Sequence, residues 1–312
     1  MKTLYLYSAS SICNQNTFGN SGFSASLVPV EDQNSLVHPE YKKIILPLKL
    51  RRLSKLSRMA IANALSAMEK AGLKNVDAII TATGLGRLND TEHFLQKFIT
   101  AGGSLVPPLS FIQSGHNTVA GQLALYLGNK GYNMTHVQGH LSFENALIDS
   151  IVYADENSNP ILIGAMDEKI ELVSELADQF GLDKSQINKF SEGASFFIAG
   201  TEKANAIAKI TAVETHANSQ NHEIEIINFL KRNHTKIDHL NKVLIGNTFE
   251  SNTFSNLFSN QLIYTDYCGH YFSSSAFGCH LAVDLLGAKP YKKILIINTM
   301  KTGIGLMLMA RV

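Results

Sequence analysis

Apolar and polar positions along the chain recur with two different periods, and the two alternate. Met1 to Tyr7 carries apolar residues in alternation, and Leu4 to Ile12 reads as a strand. Asn14 to His38 is polar and contains glycine, as a loop would. Between Ser54 and Ala71 the apolar residues Leu56, Met59, Ala60, Ala64, Leu65 and Met68 recur at helical spacing, and Gly72 ends the run. Val76 to Thr83 (VDAIITAT) reads as a strand of the buried type, followed by Gly84 and Gly86. The same reading predicts helices over 91–100, 117–127 and 142–154, with strands at 135–138 and 160–165. The order then starts again. Ala206–Thr215 is expected to be a strand, Glu223–Arg232 a helix, Lys242–Gly246 and Leu262–Thr265 strands, and a helix follows Gly269-His270 to about Leu286. Ile294–Asn298 is expected to be a strand, and Gly303–Ala310 closes the chain.

That order contains an internal repeat. Gly139-His140-Leu141-Ser142 opens a helix leading to the strand Ile161-Leu162-Ile163. Gly269-His270-Tyr271-Phe272-Ser273 opens a helix leading to Ile294-Leu295-Ile296-Ile297. A helix–strand pair precedes each. Alternating strands and helices imply parallel strands covered by helices. Two such series imply similar halves, here expected at residues 1–168 and 190–312, forming one compact unit.

Composition narrows the class. The 312 residues are 45% hydrophobic and 17% charged, with Lys+Arg 27 against Asp+Glu 26. Disordered chains carry more charge, and nucleic-acid binders an excess of basic groups. The cluster Lys49, Arg51, Arg52, Lys55 and Arg58 is short and interleaved with Leu, as on the polar side of a helix start. The three cysteines, Cys13, Cys268 and Cys279, form no framework, which favours a reducing compartment. No apolar run reaches the roughly 18 residues of a membrane span, and Met1–Tyr7 lacks a secretory apolar core. A cytoplasmic protein with no nucleic-acid partner is expected.

Several segments together carry a family resemblance. Leu50–Arg58 looks like an early helix, and Ser114-Gly115-His116-Asn117-Thr118-Val119-Ala120-Gly121 like an interface helix, of β-ketoacyl-acyl-carrier-protein synthases. Gly164-Ala165-Met166-Asp167-Glu168 resembles that family's G-G/A-x-D-E strand end, Ser191–Phe197 its G-E-G-A segment, and Gly269-His270 its G-H pair. The resemblance implies a thiolase-like α-β-α-β-α sandwich, an α/β fold built from two duplicated halves. It is closer to the short, divergent chain-length-factor-like subunits of aryl polyene and flexirubin-type clusters.

A condensing enzyme of this family needs a cysteine thiolate at a helix N-terminus and two histidines that stabilise developing negative charge. The resemblance puts the nucleophile at His140. It puts the first histidine within Ile245–Asn252, which holds Asn247 but no histidine, and the family's lysine at Thr265. Only His270 survives, so the set His140, His270, Asn247 is a degenerate site. Other readings of these residues are weaker. His140 could be a base or a polar plug. Ser142 and Ser273 lie too close in sequence to the histidines to be presented as nucleophiles, and no G-x-S-x-G occurs. Gln138 falls two residues early for a malonyl decarboxylase. Cys268, His270, Cys279 and His280 do not converge easily on zinc, because adjacent helical residues diverge by about 100°.

The resemblance therefore implies a non-condensing subunit with no metal and no cofactor. It would pair with a cysteine-bearing ketosynthase, or with itself, and meet an acyl carrier protein. An enzyme acting on acyl or malonyl carrier protein and a homodimeric acyl-binding protein are the alternatives. Phe111, Gln113 and His116, just before the interface helix, and Phe272, beside His270, are the expected substrate-channel residues.

Overall fold

The computed structural model describes residues 2–31, 35–103, 107–157, 160–247 and 254–312, without the side chain of Asn247. The first series of elements is β1 (Leu4–Ile12), the single turns α1 (Tyr41–Ile44) and α2 (Pro47–Leu50), α3 (Lys55–Lys70), β2 (Ala78–Ala82), α4 (Leu88–Thr100), α5 (Pro108–Ser114), α6 (Thr118–Leu127), β3 (Tyr132–His136), α7 (Ser142–Glu156) and β4 (Ile161–Asp167). It continues through α8 (Glu171–Gln179), α9 (Lys184–Ile187) and β5 (Gly193–Gly200). The second comprises β6 (Ala208–His216), α10 (His222–Arg232), β7 (Lys242–Asn247), β8 (Gln261–Ile263), α11 (Thr265–Cys268), α12 (Ser275–Ala288), β9 (Lys293–Met300) and β10 (Gly303–Ala310).

Local rules account for the boundaries. The Ser54 side chain caps α3 by accepting from the Ser57 N–H at 3.2 Å. Gly128, in the left-handed conformation, ends α6. The strand expected at 135–138 spans Tyr132–His136, where it pairs in parallel with Ala78–Ala82, and Asn133 Nδ2 donates to the Ala120 carbonyl.

The strands hydrogen-bond in the order β3-β2-β4-β5-β1-β6-β10-β9-β7-β8. The first five strands run 3-2-4-5-1, and the last five, 8-7-9-10-6, repeat that order. Parallel pairings join β2 to β3 and β4, and β7 to β8 and β9; the remaining pairings are antiparallel. Among the described residues the strands of the two sets pair with each other only where Leu4–Leu6 faces Ile210–Ala208. Ser191–Phe197, expected within the second half at 190–312, leads into β5, which the strand order makes the counterpart of β10. On strand order we place the junction of the halves between Gly200 and Ala208.

Five layers result. Helices α3 and α6 cover the outer face of the first set, α10 covers that of the second, and α7 and α12 lie between the two sets. Strand alternation divides the apolar residues accordingly. Ile80, Ile163, Leu244 and Ile296 face the middle layer; Ile79 and Leu162 face α3; Ile245 and Leu295 face outward on the α10 side. Strands covered on both faces need the continuous apolar runs seen in the sequence. Among the described residues no helix is long and apolar enough to cross a membrane.

Candidate functional site

The N-termini of α7 and α12 meet at the C-terminal ends of β2, β4, β7 and β9, the edge of an α/β sheet where ligands ordinarily bind. A cavity of about 590 Å³ opens there. His140, His270 and Phe272 all line it, so residues 130 positions apart in the chain converge as the repeat implies. Gly246 also lines it; the neighbouring Asn247 side chain lies outside the described residues.

His140 sits in a 3-10 turn, Gly139–Leu141, that runs straight into α7. Its ring lies against the start of β10 so closely that a Cβ on Gly303 would overlap it. Burial holds the imidazole below its ordinary pKa, against an opposing contribution from the Gly303 backbone. It is a neutral ring at physiological pH. Asn298, on β9, donates through Nδ2 to the His140 carbonyl (2.7 Å) and to Glu144 Oε1 (3.0 Å). Glu144 lies in the first turn of α7 and is fully buried, which pushes its carboxyl up to about 7 despite hydrogen bonds from Asn298 and Ser275. Sequence reasoning missed Glu144: a carboxylate in a helix first turn is ordinary, and no local signal marks it as buried.

Asp167, at the end of β4, is a clamp. It accepts from Thr83 Oγ1, Gly84 N and Leu85 N through Oδ1 and from Ser273 N through Oδ2, at 2.8–3.3 Å. This ties the loop after β2 to the turn that opens α12. It also brings Phe272 so near the chain that a Cβ on Gly84 would overlap the Phe272 Cβ. The two serines beside the histidines are structural. Ser142 is buried, accepts from Gln138 N at 2.8 Å and reaches the Thr83 carbonyl at 2.9 Å; the Ser273 backbone is held by Asp167.

None of the three thiols lines the cavity, and all are buried. Burial pushes Cys13 up to about 11 and raises Cys268 and Cys279 further, the reverse of an activated thiolate. Cys268 Sγ turns to the Gly269 carbonyl, Cys279 Sγ to Met309, and His280 Nδ1 to Ser11 Oγ at 2.6 Å. Among the described residues no three His, Cys, Asp or Glu side chains cluster as metal ligands.

The other wall comes from α8, α9 and the short segments after each of them: Val173, Ala177, Leu182, Gln186 and Phe190. Sequence reasoning missed this wall too, and here a signal was present: Leu172, Val173, Leu176, Ala177 and Phe180 recur at helical spacing. Phe111, Gln113 and His116 do not line this cavity. Phe111, on α5, is 66% exposed and tilts against Phe94 with ring centroids 5.6 Å apart. His116 is exposed beside Gly86.

Solved structures share this architecture. The ishigamide ketosynthase/chain length factor superposes with a TM-score of 0.80 at 12% identity, over 99% of both chains. A type II polyketide acyl carrier protein in complex with its ketosynthase bound to the hexaketide, AntDE:AntF, gives 0.79 at 15% identity over all of both chains. The ketosynthase ApeO in complex with its chain length factor ApeC, from Xenorhabdus doucetiae, gives 0.61 at 14% identity, also over all of both chains. No curated protein sequence matches the chain. The family profile described as beta-ketoacyl synthase, N-terminal domain, matches residues 29–243, more than half of the chain. With its repeated strand order and paired helix starts, the chain belongs to the β-ketoacyl synthase family.

Proposed function

We propose that the chain is a non-condensing member of the family, a chain-length-factor-like subunit that pairs with a cysteine-bearing ketosynthase. The observation that carries this reading is the helix start at α7. A neutral histidine, wedged against Gly303, stands where the family's nucleophile belongs, and every thiol of the chain is buried elsewhere. Imidazole backed by a strand can donate a hydrogen bond, but it cannot form the thioester that holds the growing chain.

A surface for the partner supports the reading. Strand β3 is the sheet edge, with Met134 40% exposed, and Leu125 of α6 and Leu109, Phe111 and Ile112 of α5 stand exposed nearby in sequence. Exposed apolar groups beside an open strand edge fit a protein partner. The subunit would work in the cytoplasm with an acyl carrier protein on a polyene or polyketide chain. Phe111, Gln113 and His116 would meet the partner's tunnel, and Phe272 this chain's own cavity.

The test is intact-mass spectrometry of the purified chain after incubation with acyl-carrier protein. No covalent acyl adduct is expected, and co-expression with a cysteine-bearing ketosynthase should give a 1:1 complex. A stable adduct on this chain, or a chain that stays monomeric at micromolar concentration with every such enzyme offered, overturns the proposal. Phe111→Ala and His116→Ala should lengthen the products of the complex if these residues form the tunnel wall. Unchanged lengths in an intact complex would remove them from it.

A further inference from the structure

Charge is spread unevenly along the chain. Between Glu40 and Glu69 there are seven Lys and Arg residues and no Asp or Glu, whereas the whole chain carries a net charge of +1. Much of that excess lies on the outside of α1, α2 and the link to α3, where Lys42, Lys43, Lys49, Arg51 and Arg52 are all exposed. Lys43 pairs with Glu40 at 2.8 Å, and Lys49 lies over the Tyr126 ring, 4.1 Å from its centroid. Among the described residues Lys42, Arg51 and Arg52 make no ion pair.

The apolar residues of the same segment divide in two. Ile45 is buried, and Tyr41, Ile44, Leu50 and Leu53 pack against the core that α3 covers. Leu46 and Leu48, on either side of Pro47, do not: they are 62% and 82% exposed. The inward residues hold the two single turns in place, so the leucines stand on a fixed base beside unpaired cations. Such a pattern fits a surface that offers both anions and hydrocarbon. A nucleic-acid backbone supplies the anions but leaves the leucines in water. Protein interfaces are depleted in Lys and favour aromatic anchors, and residues 46–49 include no aromatic. A bilayer containing anionic lipids supplies both: basic groups are drawn to the headgroups while aliphatic side chains and the stems of Lys and Arg enter the acyl boundary.

We propose that the face formed by α1, α2 and the link to α3 docks on an anionic lipid surface. Leu46 and Leu48 enter the headgroup region, and Lys42, Arg51 and Arg52 sit at the lipid phosphates. The contact is peripheral and reversible, since two leucines and a few cations fall far short of a membrane-spanning helix. It depends neither on which partner the chain takes nor on the cavity at the helix starts.

The experiment is flotation of the purified chain with vesicles of phosphatidylcholine alone and of phosphatidylcholine with about 30% phosphatidylglycerol. The chain should float with the anionic vesicles at about 0.1 M salt and not with the neutral ones. Screening should release it at about 0.5 M. Lys42→Gln, Arg51→Gln and Arg52→Gln together should weaken binding about a hundredfold. Leu46→Ser with Leu48→Ser should weaken it roughly tenfold and leave its salt dependence unchanged. Circular dichroism checks that each variant is folded. The chain has no tryptophan, so Leu48→Trp adds a single reporter. Its emission should shift to the blue on anionic vesicles and be quenched by brominated acyl chains; should a multiple variant fail to fold, this reading decides. The proposal is overturned if the chain does not float with anionic vesicles, if the cation or leucine variants float as well as the parent, or if the tryptophan stays in water. It is also overturned if these residues bind acyl carrier protein and no vesicle, which would make the patch a protein-docking site.

Discussion

The two helices of the middle layer begin at the same kind of turn, yet they end up in different surroundings. Eleven of the fourteen residues of α12 are buried, against eight of fifteen in α7. Helix α12 is apolar nearly all round, and such a helix can only sit inside. Helix α7 keeps an outer flank, where Val152 is 59% exposed and Asp149 meets His136 at 2.9 Å and Tyr132 at 3.2 Å. The repeat has therefore diverged by location. Both helix starts line the cavity, but the second is also locked by the Asp167 clamp on Ser273, whereas α7 packs beside the β3 edge. Duplicated halves need not share duties: one holds the fold together, and the other presents it.

The largest test of that difference truncates each helix. Phe277, fully buried in α12, has its ring 6.2 Å from that of Phe23 in the middle core. Phe277→Ala should cost about 3–5 kcal/mol, as large-to-small core changes do. Val152→Ala on the outer flank of α7 should stay within about 0.5 kcal/mol. Urea midpoints at unchanged m-value measure both. Equal losses would mean that the flank of α7 is packed into the core as fully as α12.

Each helix also buries one group that titrates below neutral or near it, Glu144 in α7 and His280 in α12, and the two act in opposite directions. Burial pushes Glu144 in α7 up to about 7, so between about 4.5 and 7 the folded state holds a proton that the unfolded chain has lost. Stability should fall as pH rises across that window. Burial holds His280 in α12 down to about 3, so between about 6.5 and 3 the unfolded chain takes up a proton that the folded state refuses. Stability should fall as pH drops across that window. The joint contribution of these two groups is largest near pH 5–6. Glu144→Gln keeps the acceptor for Asn298 and removes the buried charge. It should stabilise the chain by about 3 kcal/mol at pH 8, from a shift of that size, and by little at pH 4.5. His280→Gln should flatten only the acid side. A variant Glu144→Gln that leaves the alkaline side unchanged would show that the carboxyl is not the group responsible.

Much of this is legible in the residues because period and burial coincide here. β1 runs over Leu4–Ile12 as expected, and α3, α7 and α10 begin within one residue of the expected positions. The repeated Gly-His starts point to one site, and His140, His270 and Phe272 do meet there. What stays hidden depends on contacts far apart in the chain. Asp167 reads as part of a motif, but its clamp on Ser273 spans 106 residues. Glu144 looks like an ordinary first-turn acid until Gly305 and Asn298 close over it. The segment that forms β5 reads as an opening, because short antiparallel strands carry no mark of their neighbours; only its pairing with β4 and β1 places it.

The smallest expected effect on the chain alone is at the β3 edge, and it tests what the exposed half is for. Strand β3 has one hydrogen-bonded neighbour, β2, and its other side is open. Met134 on that strand is 40% exposed and Leu125 of the adjacent α6 is 84% exposed. In the folded chain by itself neither side chain has much to lose, so Met134→Lys and Leu125→Lys should each shift stability by no more than about 0.5 kcal/mol. Edge lysines are a common device against strand-to-strand association. If this edge carries the partner, the double variant should remain folded, with an unchanged melting curve at low concentration, and should fail to form a complex in sedimentation velocity. An isologous pair would lose the interaction twice, since each patch meets its own copy; a heterologous pair would lose it once. Titrating wild-type chain into the variant separates these, because a mixed pair retains half of an isologous contact. A double variant that assembles as tightly as the parent would move the interface elsewhere, and the exposure of β3 would then need another explanation.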